Sequence, residues 1–143
     1  MSQYASDDLS LAKEVLLKDN LSFVLAKSGK VLFKSKSHGI SDLLAMLDSV
    51  GRRTEDASLA DSIVGRAAAL VCVYSKITAV YGVSMSEGAL SICRANGIYY
   101  EFGTLVPRIL NRAKDDVCPF DKAVSGVEDP RVALDRLKSL KLG

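Results

Sequence analysis

A nearly unbroken apolar stretch, Asp56–Tyr74, constrains the fold more than any other part of the chain. Its sequence, DASLADSIVGRAAALVCVY, carries apolar side chains over most of its length. A helix that is apolar all round is normally buried. Ser58, with Asp61 three residues later, is typical of a capped helix start, so Asp61 is interpreted as a helix-start carboxylate. We therefore predict a buried central helix lying on a sheet, with Gly65 allowing another backbone to approach closely.

The rest of the chain alternates between strand and helix patterns. Ser28-Gly29 joins two short apolar runs and predicts a hairpin, because glycine takes the positive φ of such turns. The predicted strands are Leu21–Lys27, Lys30–Ser35, Ile77–Val83 and Ile98–Phe102, and the other predicted helices are Asp7–Lys18, Asp42–Val50, Ser84–Ala95, Thr104–Asn111, Cys118–Gly126 and Arg131–Leu140. This order predicts an α/β fold, a three-layer α/β/α sandwich with a mixed sheet.

Composition bounds the class of protein. A chain of 143 residues with 48% hydrophobic and 25% charged residues is typical of one globular domain. The net charge of +2 gives little support to nucleic-acid or membrane-surface binding. No apolar run reaches the ~18 residues of a membrane span. The polar N-terminus, MSQYASDDLS, is unlike a signal peptide, so we expect a cytoplasmic protein.

The residues that bind transition metals are few and scattered. The chain has three cysteines, Cys72, Cys93 and Cys118, and its single histidine is His38. An odd number of widely spaced cysteines indicates free thiols in a reducing compartment. No CxxC pair is present, so neither a metal nor another cofactor is predicted.

Several segments together resemble one family of unknown function, number eighteen-ninety-three. They are VGRAAALV at Val64–Val71, LAKSGKVLFKS at Leu25–Ser35, LVPRILNR at Leu105–Arg112 and CPFD at Cys118–Asp121. The resemblance extends roughly from Asp8 to Leu134. It implies a cytidine-deaminase-like fold: a single domain over residues 1–143, with a C-terminal helical extension from about residue 104.

The resemblance does not extend to the metal chemistry of the deaminase superfamily. That superfamily places His- or Cys-x-Glu at the start of its first core helix and Pro-Cys-x-x-Cys at the start of its second, where zinc activates a water. Here the corresponding regions read Val64-Gly65-Arg66-Ala67 and Ser84-Met85-Ser86-Glu87. Neither contains a zinc-ligand set, so the fold is expected without the zinc site.

Two predicted helix starts carry candidate ligand-binding groups. On a helix, Arg66 would share one stripe with Ser58 and Ser62, and its guanidinium would suit a phosphate or carboxylate. The equally weighted alternative is a buried arginine paired with an acidic residue or with helix C-terminal carbonyls. Backbone N–H groups near Ser84, Ser86 and Glu87 would form an anion site, although a plain capping box explains the same residues and is preferred.

Three further positions complete the candidates. Asn111 and Arg112 follow one another at a predicted helix end, where a structural role is favoured over ligand binding. Cys118 precedes Pro119 at a helix start and is a candidate nucleophile, although a structural role is favoured because no base accompanies it. His38 lies in a loop and is given little weight as an acid or base. The candidate ligand-binding residues are thus Arg66, Ser62, Ser84, Ser86, Glu87, Asn111 and Arg112.

Two classes of function remain open from the sequence. The first is a site for a small polar or nucleotide-like ligand in the cleft between the two core helices, with or without catalysis. The second is a non-catalytic scaffold that acts through protein contacts as a homo-oligomer. Polar groups gathered around one pocket would favour the first, and a large apolar surface patch would favour the second.

Overall fold

Five strands and six helices account for most of residues 3–37 and 39–142, the part of the chain that the computed structural model describes. The predicted loop histidine, His38, lies outside these residues. The helices are α1 (Gln3–Lys18), α2 (Ile40–Val50), α3 (Arg66–Tyr74), α4 (Glu87–Ala95), α5 (Pro119–Ala123) and α6 (Pro130–Leu142). The strands are β1 (Phe23–Lys27), β2 (Lys30–Ser35), β3 (Ser58–Val64), β4 (Ala79–Ser86) and β5 (Tyr99–Val106). A 3₁₀ turn, Gly51–Thr54, follows α2.

The five strands form one mixed sheet in the order β2-β1-β3-β4-β5. The pairs β1–β2 and β1–β3 are antiparallel, whereas β3–β4 and β4–β5 are parallel. Phe23 pairs with Asp61, so β1 begins at the edge of the sheet where β3 ends. The predicted mixed sheet is confirmed.

Helices cover both faces of this sheet. On one face, α1 packs Leu9, Ala12 and Leu16 against a buried patch that includes Val24 and Ala60. On the other face, a larger core joins α2, α3, α4 and α6 to the sheet. These two cores give the predicted α/β/α layering. Within the described residues, no helix is long and apolar enough to cross a membrane.

The predicted central helix is wrong over its first half. Residues Ser58–Val64 form strand β3, and only Arg66–Tyr74 is helical. A strand covered on both faces is as continuously apolar as a buried helix, so periodicity does not separate the two. Ser58 is therefore not a helix cap, Asp61 is not at a helix start, and no helical stripe joins these residues to Arg66.

Two later boundaries also differ from the prediction. Ser84 lies in β4, and α4 begins three residues further on, at Glu87. The hydroxyl of its N-cap, Ser86, accepts a hydrogen bond from the Ala89 N–H at 3.1 Å. Thr104 lies in β5 instead of capping a helix. Residues 107–118 then form an irregular loop with a bridge between Leu110 and Val117. The C-terminal helices accordingly begin with α5 and not near residue 104.

The predicted hairpin is confirmed, and α1 holds its turn. Ser28 and Gly29 both have positive φ, 53° and 76°. The Asp8 carboxylate on α1 accepts hydrogen bonds from their two N–H groups, at 3.0 and 2.9 Å. The turn that joins β1 to β2 is thereby attached to the helix that covers them.

The start of α3 is attached to the C-terminal segment by contacts that we call the α3 clasp, made by Gly65, Arg66 and Asp121. Asp121 on α5 accepts a hydrogen bond from the Ala67 N–H at 2.8 Å and so caps α3 from a distant part of the chain. Its carboxylate occupies the space that a Cβ atom on Gly65 would need. In return, the Arg66 guanidinium donates to two backbone carbonyls, those of Val124 at 3.0 Å and Val127 at 2.6 Å.

Replacing Gly65 should therefore displace the cap. We expect Gly65→Ala to lower the free energy of unfolding by ~1–3 kcal/mol, because the new methyl group expels the Asp121 carboxylate. Gly88→Ala is the control, since the nearest atoms to its added Cβ lie at 3.8 Å and alanine favours a helix. Denaturant unfolding measures both. In an Asp121→Ala background the cost of Gly65→Ala should largely disappear, and an undiminished cost would contradict this explanation.

Candidate functional site

A cavity of about 420 Å³ lies where β3 ends and β1 begins. Its walls come from the start of β1, the residues around the start of α2, the end of β3, the first turn of α3, the 107–118 loop and α5. From this point the strands β1 and β2 lie to one side and β4 and β5 to the other. Open α/β sheets form ligand crevices at such points, because the connecting segments diverge there.

Asp61 is the most deeply buried charged residue that lines this cavity. The residue is only 7% exposed, and one carboxylate oxygen accepts a hydrogen bond from the Ile63 N–H at 3.2 Å. Burial raises the pKa of Asp61 from 3.8 to about 7, although hydrogen bonds from Ile63 and Ser62 oppose the rise. Neither ion pair within the described part of the chain includes Asp61. A carboxyl group that titrates near neutral pH in a cavity is a candidate for ligand binding or proton transfer.

A second carboxyl group, Asp121, also lines the cavity, but its oxygens serve the α3 clasp. Burial raises the pKa of Asp121, and the backbone N–H groups of Ala67 and Arg66 oppose the rise. This carboxyl group caps α3 from a distant part of the chain, so its role is to hold the α3 clasp together.

The 107–118 loop supplies the outer wall. Arg112 is exposed at the cavity's edge, whereas the Asn111 amide donates to the Asp115 carboxylate at 2.8 Å within the loop. Cys118 is partly buried, and its N–H donates to the Ile109 carbonyl at 2.9 Å. Arg112 therefore places a positive charge at the mouth, and Asn111 is engaged in holding the loop together.

The structure divides the predicted site residues into two groups. Ser62, Asn111, Arg112 and Cys118 line the cavity. Arg66, Ser84, Ser86 and Glu87 do not line it.

The four predicted site residues that do not line the cavity lie in α3, β4 and α4, and two of them make structural hydrogen bonds. The Arg66 guanidinium binds the Val124 and Val127 carbonyls, which matches the alternative of a buried arginine paired with carbonyls. Ser84 belongs to β4, and Glu87 is exposed on α4. The preferred interpretation of the α4 start, a helix cap, agrees with the Ser86 hydroxyl accepting from the Ala89 N–H, and Asp121 caps α3.

Sequence analysis missed Asp61 as a cavity residue because it placed this side chain at a helix start. The available signal was the shortness of the run SLADSIV. It has seven residues and is followed by Gly65, and seven residues is a common length for a buried strand. An aspartate inside a strand that is covered on both faces has no solvent to face, and so it requires a partner or a cavity.

Comparisons of the whole fold identify its class. Acinetobacter baumannii RibD, form 2, aligns with 90% of this chain and 41% of its own, at 14% identity and a TM-score of 0.51. The dCMP deaminase from the cyanophage S-TIM5 aligns with 71% of this chain and 99% of its own, at 11% identity and a TM-score of 0.49. The alignment with RibD, at a TM-score above 0.5, supports the predicted deaminase-like α/β fold, and at 14% identity this likeness concerns the fold alone.

The family model gives a more specific assignment than the likeness of fold. Residues 11–140 match the model of the family described as TM1506, domain of unknown function DUF1893, and the chain belongs to this family. The crystal structure of the DUF1893 family protein TM1506 from Thermotoga maritima aligns with 97% of this chain and 91% of its own, at 22% identity and a TM-score of 0.80. A comparison with curated protein sequences finds no significant match.

The residues at the two core helix starts do not fit the zinc site that a deaminase fold implies. The start of α3 presents Gly65 and Arg66, and the start of α4 presents Ser86 and Glu87. Arg66 is a cation that binds carbonyls, and Ser86 is a helix cap. Across residues 3–37 and 39–142, no group of three or more His, Cys, Asp or Glu side chains is arranged to hold a metal ion.

The raised pKa of Asp61 predicts how the free energy of unfolding depends on pH. Because the folded state binds this proton more tightly than the unfolded state, stability falls as pH rises from about 4 to 7. Asp61→Asn removes this cost, so we expect the variant to be more stable than the natural protein at pH 8, by on the order of 1–4 kcal/mol. At pH 5 the stability difference between Asp61→Asn and the natural protein should be smaller than at pH 8 by roughly 2 kcal/mol.

Denaturant unfolding at the two pH values measures this difference. Asp48→Asn, on the exposed surface of α2, is the control for replacing an aspartate. An Asp61→Asn protein that is less stable than the natural one at pH 8 would show that the carboxylate stabilises the fold.

Proposed function

We propose that this protein binds a small polar or nucleotide-like ligand in the cavity at the end of β3. The observation that carries the proposal is the Asp61 carboxyl group, buried in a cavity of about 420 Å³ without an ion pair among the described residues. A volume of this size is typical of small-molecule sites, which combine apolar walls with a few polar groups. Whether the bound molecule also reacts is left open, and no step of the proposal involves zinc.

The cost of burying Asp61 supports a binding role. A buried carboxylate without a cationic partner loses hydration free energy, which the hydrogen bonds from Ile63 and Ser62 restore only in part. A ligand with N–H groups would restore hydrogen bonds to it, and the apolar side chains of Phe23, Ile40 and Leu43 would contact the rest of that ligand. Arg112 at the mouth would attract an anionic group such as a phosphate. The proposed anion contact thus moves from Arg66 to Arg112.

A thermal-shift screen of nucleosides, nucleotides and small polar metabolites tests this function, with hits confirmed by calorimetry. Ser37 lies on the exposed rim of the cavity, so Ser37→Trp should fill the mouth without disturbing the core. We expect a hit to bind with one-to-one stoichiometry and to lose at least about tenfold in affinity in Ser37→Trp.

Ser49→Trp, on an exposed position of α2 outside the cavity, is the matched control and should bind the hit normally. A hit that binds Ser37→Trp as well as the natural protein would place its site elsewhere. A screen without any hit would argue against a small polar ligand.

The alternative, a scaffold that acts as a homo-oligomer, is favoured by one observation. Strand β5 is an edge of the sheet, and Tyr99, Phe102 and Leu105 on it are 39–40% exposed. The opposite edge, β2, carries Lys30 and Lys34, which discourage pairing with another strand. Two copies related by a two-fold axis would bring the same β5 edge together, so one apolar strand would serve both partners.

Sedimentation velocity distinguishes this alternative. If β5 forms the contact, the protein sediments as a dimer and Phe102→Lys converts it to a monomer, with Val31→Lys on the opposite edge strand as the control. A protein that sediments as a monomer at micromolar concentration would contradict the scaffold alternative and would leave ligand binding unaffected.

A further inference from the structure

The charged groups of the cavity lie at different depths. Asp61 is almost completely buried, and Arg112 is exposed at the mouth. An ionised carboxylate only accepts hydrogen bonds, whereas a guanidinium only donates them. A ligand that satisfies both groups must therefore present donors at its inner end and acceptors at its outer end.

The wall between these two groups is mainly apolar. It contains Phe23, Ile40 and Leu43 on one side and Leu110 and Phe120 on the other. Phe23 is held in place by stacking on Phe33, with ring centroids 5.7 Å apart and planes within 9°. Such a wall contacts an aromatic or aliphatic body more favourably than a strongly hydrated one.

A neutral donor would compensate Asp61 less well than a cation. Removing a carboxylate from water is offset most effectively by an opposite charge with good hydrogen-bond geometry. A planar nitrogen cation with two parallel N–H groups matches the two oxygens of a carboxylate, as the guanidinium of arginine does. The Asp61 carboxylate already accepts from the Ile63 N–H at 3.2 Å and from Ser62, and its two oxygens, with about four acceptor positions, keep capacity for a further donor.

We propose that the cavity takes a bipolar ligand, with a planar amidinium-type cation inside against the Asp61 carboxylate and an anionic group at the mouth against Arg112. This inference rests on the proposed binding function and adds the chemical class of the ligand. It also accounts for Asp61 and Arg112, the two charged groups in the cavity wall that the α3 clasp does not use, without involving Arg66, whose guanidinium donates to backbone carbonyls.

The proposal has a definite pH dependence. The charged and thiol side chains that line the cavity with Asp61 are Asp121 on α5 and Arg112 and Cys118 on the 107–118 loop. Cys72 on α3 also interacts electrostatically with Asp61. A bound cation favours ionised Asp61, so binding releases a proton wherever the free carboxyl group is still protonated. Affinity should therefore rise with pH up to about 7 and then level off.

Three probes of similar shape test the class of ligand by calorimetry at pH 8: benzamidine, 4-amidinobenzoate and benzoate. We expect benzamidine to bind, benzoate to show no binding, and 4-amidinobenzoate to bind about five- to tenfold more tightly than benzamidine because it also reaches Arg112. At pH 6 both amidines should bind up to about tenfold more weakly, since amidines remain cationic throughout this range while Asp61 becomes protonated.

Two variants separate the two ends of the ligand. Asp61→Asn should weaken both amidines at least about tenfold and remove the pH dependence, and its thermal midpoint shows that it is folded. Arg112→Ala should abolish the preference for 4-amidinobenzoate over benzamidine while leaving benzamidine binding unchanged. Arg53→Ala, an exposed arginine that does not line the cavity, should keep that preference.

Several results would overturn the inference. They are undetectable binding of both amidines at millimolar concentration, tighter binding of benzoate than of benzamidine, and undiminished amidine binding by Asp61→Asn. If such a result occurs while a nucleotide or other screening hit still depends on Ser37→Trp, the cavity binds a ligand of another class. If no ligand depends on Ser37→Trp, the proposed binding function itself fails.

Discussion

The α3 clasp is the interaction on which the site depends. Asp121 satisfies backbone N–H groups at the start of α3, and Arg66 satisfies the carbonyls that follow α5. These bonds link residues more than fifty positions apart and draw the chain after β5 back over the end of the sheet. The 107–118 loop is consequently held above the end of β3, and the space beneath it is the cavity. Without the clasp, the outer wall of the cavity would lack an anchor on the core.

The same contacts explain two of the segments by which the family is recognised. Gly65 is small because the carboxylate of Asp121 lies where a side chain would begin. Arg66 and Asp121 each bond to backbone and not to one another, so the attraction between their charges is a minor part of the contact. The VGRAAALV and CPFD segments are thus two halves of one structural contact. This contact accounts for Arg66 without any ligand, and it leaves Asp61 as the buried charge that the fold does not explain.

The sequence was sufficient to predict the class of fold, the hairpin and most helix positions, because turn residues and caps act locally. Ser28-Gly29 and Asp129-Pro130 are examples, and the Asp129 carboxylate does cap α6 by accepting from the Arg131 N–H at 2.9 Å. It was not sufficient for β3, since burial on both faces removes the alternation that marks a strand. That single error moved Asp61 from the cavity to a helix start. The cavity also needs contacts between distant segments, such as Ala67 with Asp121, which no local pattern encodes.

The starts of α3 and α4 are the two core helix starts of this fold, and in this chain protein side chains cap both of them. Asp121 accepts from the Ala67 N–H of α3, and Ser86 accepts from the Ala89 N–H of α4. The charged groups of the cavity outside the α3 clasp are Asp61, near the end of β3, and Arg112, on the 107–118 loop. A fold that supports different chemistries in different families does so through such exchanges of side chains. The proposed function rests on the Asp61 carboxyl group, which the fold buries without an ion pair among the described residues and whose burial the hydrogen bonds from Ser62 and Ile63 offset only in part.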